Sequence, residues 1–434
     1  MAEVFRSGVS SEYKTVITVI KNRFSSLLPE NGSDYCGFFF CLMLSIFSSR
    51  KLLLNAAVFF GIPLLKYSVF LYYTLVLFVF YKSLPEIRKR LNGLDAAFFL
   101  FFSLSLIASV LFYDSDPVLK AEIFKRYFTV CCLSYFAARA LELTEKNLKY
   151  MRIFAYLIII NELIQLFVFR LYPFRPDSAL LMLGTAMISS FILLIIPIVR
   201  DIKVCDGIVW ILILFITTVS ASRGAFIIIL STTAVAVLYG SRSKRMIAAL
   251  FSVYCGAAVV FLVWREKIIA TLYAFYFSQG FPYKFFILSD QNNFIINKST
   301  DERFKIWRWC LDFIGSHIFC GGGIVNERHF IRELMLFPSE MLGAYPHNFF
   351  LEICTQFGLV PGLLILLAGA YILIKGFVRS SLSVDRIFVV ILVMTSLGHL
   401  MVSGSYIQDT LFFAFVGFVT HVNSKESSRC INLI

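Results

Sequence analysis

The chain has 434 residues, 59% of them hydrophobic and 15% charged, with a mean hydropathy of +0.80, whereas soluble domains run at about 45–50% apolar and about 25% charged. That excess excludes a water-soluble fold of this size, and apolar runs of helix-spanning length exclude a barrel, which would read as alternating segments of about ten residues. The net charge of +13 does not point to nucleic acid, because the basic residues sit in short loops between apolar runs and act as topology signals.

Residues 1–34 are polar and mixed, with Glu3, Arg6, Glu12, Lys14, Lys21 and Arg23 and no apolar core before Cys36. They predict no cleavable signal peptide. Weak amphipathic spacing from Tyr13 to Leu28 suits a cytoplasmic or interfacial segment. An N-terminal bundle follows over 35–264, with segments near 35–49, 51–65, 67–81, 95–113, 121–139, 151–171, 178–199, 206–221, 223–240 and 246–264. The first three are short and crowded, so two of them are expected to form one broken element. A long loop spans 265–346, and the C-terminal helices lie at 347–375, 386–402 and 405–422, within 347–422. Residues 423–434 read as a cytoplasmic tail. The fold class is an all-α integral membrane protein with about 12 membrane helices.

Orientation follows from the short loops. Basic clusters at Lys82/Arg88/Lys89/Arg90, Lys146/Lys149/Arg152, Arg242/Lys244/Arg245 and Lys375/Arg379/Arg386 are all expected on the cytoplasmic side. The acidic loop at Asp114 and Asp116 falls on the other side, as does the long loop. The alternation fails only at the N-terminus, which places a counting error within 35–65.

A loop of this length and patterning is expected to be functional rather than a linker. Its apolar stretches Ile268–Phe277 and Phe285–Leu288 are broken by Gly280 and Pro282. An amphipathic run from Arg303 to Ile314 puts Trp307, Cys310, Leu311 and Ile314 on one face. Short helices lying on the membrane and capping a cavity are expected there. The ten cysteines show no metal-ligand spacing and most read as small buried hydrophobes. Cys310 and Cys320 share the outer loop and could pair in an oxidising compartment. Gly321-Gly322-Gly323 reads as a flexible turn; no GxxxxGK[ST] pattern makes it a phosphate loop.

The informative charges lie near the membrane on the outer side. Arg223 opens a segment between Ser222 and Gly224, either partnered near the apolar core or snorkelling to the interface. Arg303, Lys305 and Arg308 could bind phosphate oxygens, or form a solvated face. Arg170 and Arg175 flank another outer loop. His347, in Tyr345-Pro346-His347-Asn348, sits where the loop re-enters the membrane. Pro346 suits the first turn of a helix, and a histidine there can act as a base. His317, His329, His399 and His421 form no metal-ligand pattern.

Three ordered features then resemble one family: Ser222-Arg223-Gly224-Ala225-Phe226 opening a membrane helix; Arg303-Phe304-Lys305-Ile306-Trp307 leading to Phe319-Cys320-Gly321-Gly322-Gly323; and His347-Asn348-Phe349-Phe350-Leu351 followed by Gly358 and Gly362. Over roughly residues 180–420 the chain resembles the O-antigen polymerase and O-antigen ligase superfamily of bacterial envelope glycosyltransferases. The resemblance implies a GT-C-type enzyme of the inner membrane with its site facing the periplasm. It implies an undecaprenyl-diphosphate-linked glycan as donor, no cofactor and no metal. Arg223 and Arg303 would hold the diphosphate, and His347 would deprotonate or orient the acceptor hydroxyl. Asn348, Arg308, Lys305 and Glu352 would support them. A chain-length regulator and a flippase are the partners the family implies.

The chain departs from the family pattern in places. Tyr345 stands where the ligase branch often has a second histidine, which tilts the reading toward a polymerase. An acid often found near Gln356 is missing, with Glu352 as its substitute, and the spacing from Gly358 to Gly362 is one residue long. A ligase acting on lipid A-core is the alternative. A polysaccharide flippase or permease is the alternative from another class, disfavoured because the outstanding charges cluster at one face instead of at a midplane site.

Overall fold

The computed structural model describes residues 28–62, 66–112, 117–168, 176–219, 223–240, 263, 267, 294–334, 345–379, 383–402 and 404–431. All regular structure among the described residues is helical. Seven of these helices are long and apolar enough to cross a membrane, and three shorter apolar helices accompany them. The protein is an all-α integral membrane protein. The predicted segment at 246–264, the stretches 268–277 and 285–288, Gly280, Pro282, the cluster at Arg242–Arg245, Asp114, Asp116, Arg170, Arg175 and most of the amphipathic run from Tyr13 lie outside the described residues.

The first helix, α1 (Gly32–Phe59), merges the segments expected at 35–49 and 51–65. Its start is fixed locally: Asn31 Oδ1 accepts the Asp34 amide at 2.9 Å. Ser48, Ser49, Arg50 and Lys51 make the sequence look broken. In the helix Ser48 instead turns inward and donates to Glu162 at 2.7 Å, and Asn55 donates to Gln165 at 3.2 Å. Polar groups satisfied within a bundle do not interrupt a membrane helix. The merger removes one segment and with it the parity failure at the N-terminus.

The next helices run alternately between two ends of the bundle: α2 (Lys66–Arg90), α3 (Gly93–Phe112), then α4 (Pro117–Arg126) continued through a π-helical segment (Tyr127–Cys131) into α5 (Cys132–Arg139). They are followed by α6 (Glu145–Phe167), α7 (Pro176–Arg200), α8 (Val204–Val219) and α9 (Arg223–Gly240). After the long loop come α13 (Leu359–Arg379), α14 (Ser383–Val402) and α15 (Thr410–Ile431). The segment expected at 347–375 is split in two, and α15 runs through the positions expected to begin a tail at 423. Close backbone approach holds the C-terminal helices inside the bundle: a Cβ on Gly417 would sit 2.4 Å from the Tyr135 carbonyl oxygen.

One end of the bundle is basic and stapled by ion pairs. Arg90 pairs with Glu142 at 2.6 Å, Lys146 with Asp34 at 2.9 Å, and Arg152 with Asp206 at 3.1 Å. Arg139 is fully buried and holds Asp95 at 2.9 Å. Lys375 comes to the same end, where it borders a cavity of about 580 Å³ with Arg90 and His421.

The opposite end carries the described part of the long loop, with α10 (Phe294–Ser316) and α11 (Asn326–Leu334), and then α12 (Phe349–Phe357). These pack around a small core of their own, Ile306, Cys310 and Ile331, flanked by Trp307, Trp309 and Leu351. The buried face of α10 runs through Ile306, Cys310 and Ile314, and Leu311 is exposed, contrary to the predicted face. Cys310 and Cys320 are both free, the first buried and the second exposed, so the disulfide does not form.

Candidate functional site

The turn that enters α12 is built by local chemistry. Asn348, in extended conformation, accepts the amides of Phe350 at 3.0 Å and Leu351 at 3.2 Å and so caps α12. The helix therefore starts after Pro346, not on it. His347 just before the cap has a φ of 53°, in the left-handed region where histidine is among the few side chains enriched. The Trp307 indole donates to the Pro346 carbonyl at 2.8 Å, tying α10 to this turn. The rings of Tyr345 and His347 lie 4.3 Å apart.

Gly358 separates α12 from α13 with a φ of 92°, and a Cβ there would meet backbone atoms of residues 317–320 at about 3 Å. A break between two helices exposes carbonyls on one side and amides on the other. Here the 317–323 segment satisfies both. Gly322 and Gly323 donate to the carbonyls of Thr355 and Gln356 at 2.9 Å, and Leu359 and Val360 donate to the carbonyls of His317 at 3.3 Å and Ile318 at 2.9 Å. A Cβ on Gly321 would sit 2.5 Å from the Gln356 carbonyl. The triple glycine is thus a packed helix cap, not the flexible turn its composition suggests.

Behind this turn lies a buried polar cluster. Arg328 is 2% exposed; it donates to the Ser405 hydroxyl at 2.6 Å, and its guanidinium lies 5.7 Å from the Tyr345 ring centre. Ser405 in turn donates to Glu352, whose other oxygen accepts the Tyr406 amide at 3.4 Å. The Gln356 side chain bridges a second chain of bonds, donating to Glu327 at 2.7 Å and accepting from the Tyr406 hydroxyl at 2.5 Å. Glu327 lies 3.7 Å from the Arg328 guanidinium. Both acids are outside the candidate membrane spans. Burial pushes both carboxyls above the usual range, Glu352 to about 8, with the neighbouring Glu327 charge pushing the same way. Buried acids with raised affinity for protons are a recurring feature of functional clusters.

The turn between α14 and α15 closes the site. Gly404 has a φ of 107° and donates its amide to the Tyr345 hydroxyl at 3.0 Å. On its other side a Cβ would come within 3.2–3.5 Å of the His399 ring and the Asp409 carboxylate. His399 Nδ1 and Asp409 Oδ2 are 2.7 Å apart and buried. The other Asp409 oxygen caps α15, accepting the amides of Leu411 at 2.7 Å and Phe412 at 2.9 Å. The start of α9 reaches the same place, since a Cβ on Gly224 would sit 2.6 Å from the Val402 side chain. Ile407 meets the π-helical segment through its carbonyl, 3.7 Å from the Cys131 thiol.

Among the predicted residues, Glu352 and His347 belong to one constellation. Arg303 is half-buried on α10, one turn before Trp307 and so on the same helix face. Lys305 and Arg308 are on the exposed face. The Arg223 side chain lies outside the described residues, but its backbone opens α9 beside Val402. Glu327, Arg328, Ser405, Tyr406, His399 and Asp409 are not singled out by the sequence reading. The adjacent Glu327-Arg328 pair in a loop was the one available signal for them. Among the described residues no group of three or more His, Cys, Asp or Glu side chains has a metal-binding arrangement.

No curated protein matches this chain. The family model described as O-antigen ligase matches residues 208–367, a stretch that includes α9, Arg303, the triple glycine, His347 and α12. Over residues 208–367 the chain is therefore similar to the O-antigen ligase family, which supports the resemblance to the O-antigen polymerase and ligase superfamily.

Proposed function

We propose that the protein is a surface-polysaccharide polymerase that transfers an undecaprenyl-diphosphate-linked glycan onto a lipid-linked repeat unit. In this reading the basic end faces the cytoplasm, following the inward bias of Lys and Arg, and the cluster behind His347 faces the periplasm of the inner membrane. Arg223 and Arg303 hold the donor diphosphate and meet the charge that develops on it as it leaves. His347 engages the acceptor hydroxyl. Asn348 keeps the His347 turn in place, and Glu352, through Ser405, keeps Arg328 against Tyr345. Arginine can stabilise the leaving diphosphate without a metal ion.

The observation that carries this reading is the convergence of elements on one turn. The helix bearing Arg303 is fastened to Pro346 by Trp307, next to His347. The start of α9, which Arg223 opens, packs on Val402 beside the Gly404 turn that holds Tyr345. Polymerase is preferred to ligase because Tyr345 stands in place of a second histidine and is committed to Gly404 and Arg328. A chain-length regulator and a flippase would work beside it.

Deletion of the gene separates the two acceptors. Loss of a polymerase leaves a single repeat unit on lipid A-core, whereas loss of a ligase leaves bare core. The proposal expects the first pattern, seen as collapse of the lipopolysaccharide ladder to one band above the core. Bare core would assign the ligase instead, and an unchanged ladder would refute both.

A further inference from the structure

We infer that His399, held by Asp409, is the base that takes the proton from the acceptor hydroxyl. This rests on the transferase reading above and goes beyond it, since that reading uses His347 alone among the histidines. A carboxylate can only accept, so the 2.7 Å contact requires a proton on His399 Nδ1. The lone pair then resides on Nε2. The carboxylate plane is itself fixed, because its other oxygen is held by the Leu411 and Phe412 amides. A tautomer fixed by an immobilised carboxylate is the arrangement that makes imidazole an oriented base and stabilises the imidazolium that follows.

The pair is also in the right place. Gly404 separates it from Tyr345: the glycine amide bonds the Tyr345 hydroxyl, and a Cβ on the glycine would meet the His399 ring at 3.2 Å. Any side chain at 404 would fill that contact. Val402, three residues after His399 on α14, packs on Gly224 beside Arg223. The pair therefore lies between the helix assigned to the diphosphate and the turn bearing His347. Capping α15 needs only one Asp409 oxygen, so the cap alone does not account for a buried imidazole on the other.

The step balances without a further reagent. The acceptor oxygen bonds to the anomeric carbon of the donor as the bond from that carbon to the diphosphate breaks. The electron pair leaves on the diphosphate. The hydroxyl proton moves to His399 Nε2 and is released when the products leave. His347, half-buried at its strained turn, then orients the acceptor instead of deprotonating it.

The test uses full-length protein in vesicles with a polyprenyl-diphosphate-linked repeat unit as both donor and acceptor. For His399→Gln we expect kcat to fall about 10²–10⁴-fold, the usual contribution of a general base, with KM and thermal midpoint nearly unchanged. His399→Gly is expected to regain rate on addition of imidazole. Asp409→Asn, which keeps an oxygen for the α15 cap, is expected to lower kcat at unchanged KM. Wild-type kcat in His399→Gln overturns the inference. So does a loss in which KM and thermal midpoint move together and imidazole restores nothing, since that is the signature of a structural clip. If Arg303→Ala and His347→Ala also keep full activity, the transferase reading itself fails; if they lose it while His399→Gln does not, only the assignment of the base fails.

Discussion

The two ends of the bundle use charge in opposite ways. At the basic end three buried or half-buried arginines meet carboxylates from elsewhere in the bundle: Arg139 with Asp95, Arg90 with Glu142, Arg152 with Asp206. At the opposite end two buried acids, Glu327 and Glu352, share one arginine and take their remaining bonds from neutral donors, Gln356, Ser405 and Tyr406. The first arrangement fixes helices against one another. The second leaves protons and charge to be redistributed, which the proposed transfer would use. The difference teaches that charge density alone does not mark a site in a membrane protein; the balance of its partners does.

Removing one partner of a buried pair is strongly destabilising because the other charge stays buried. Arg139→Ala is expected to cost about 3–5 kcal/mol on that ground, read as a lowered thermal midpoint, with unchanged activity per folded molecule. Arg328→Ala should destabilise comparably and also lower the activity of what remains folded. Equal activity in the two folded populations would erase the contrast between the ends.

Next in size are the residues assigned to substrate. Arg303→Ala and His347→Ala should each lower the transfer rate by about 10²–10⁴-fold while leaving the thermal midpoint within the small range of surface substitutions. Lys305→Ala and Arg308→Ala, on the exposed face of the same helix, should leave the rate nearly as it was. Smaller again is Gly358→Ala, which forces a side chain into left-handed backbone and against residues 317–320. It should cost about 1–3 kcal/mol, and proteolysis between α12 and α13 would report it.

A further effect concerns pH. Glu352 binds its proton more tightly folded than unfolded, with its pKa raised from 4.5 to about 8. Its contribution to stability is complete below about pH 4.5 and is lost as pH rises toward 8. The thermal midpoint should therefore fall over that window, and Glu352→Gln should flatten the fall. A midpoint rising through the same range would contradict the environment described for this acid.

Much of the molecule was legible in its residues, and the exceptions have physical causes. Apolar run length located the helices, but Ser48 to Lys51 looked like a break because their partners, such as Glu162, lie more than a hundred residues away. Pro346 signals a helix start near His347, but the cap is Asn348 and the helix begins at Phe349. The triple glycine reads as slack because no local signal shows that it caps a helix far downstream in the chain. Ser405 and Tyr406 belong to a short turn between two apolar helices and gain meaning only when Arg328 arrives from the long loop and Gln356 from α12. Cys310 and Cys320, which shared loop position alone leaves able to pair, are separate because the face carrying Cys310 is buried against Ile306 and Ile331 while Cys320 is exposed.

The most direct measurement compares the two ends in one assay. Purified full-length protein in vesicles is supplied with a polyprenyl-diphosphate-linked repeat unit, and the length of the glycan product is followed for wild type, His347→Ala and Arg90→Ala. The account predicts chain extension by wild type and by folded Arg90→Ala, and loss of extension in His347→Ala. Extension by His347→Ala at the wild-type rate would contradict it.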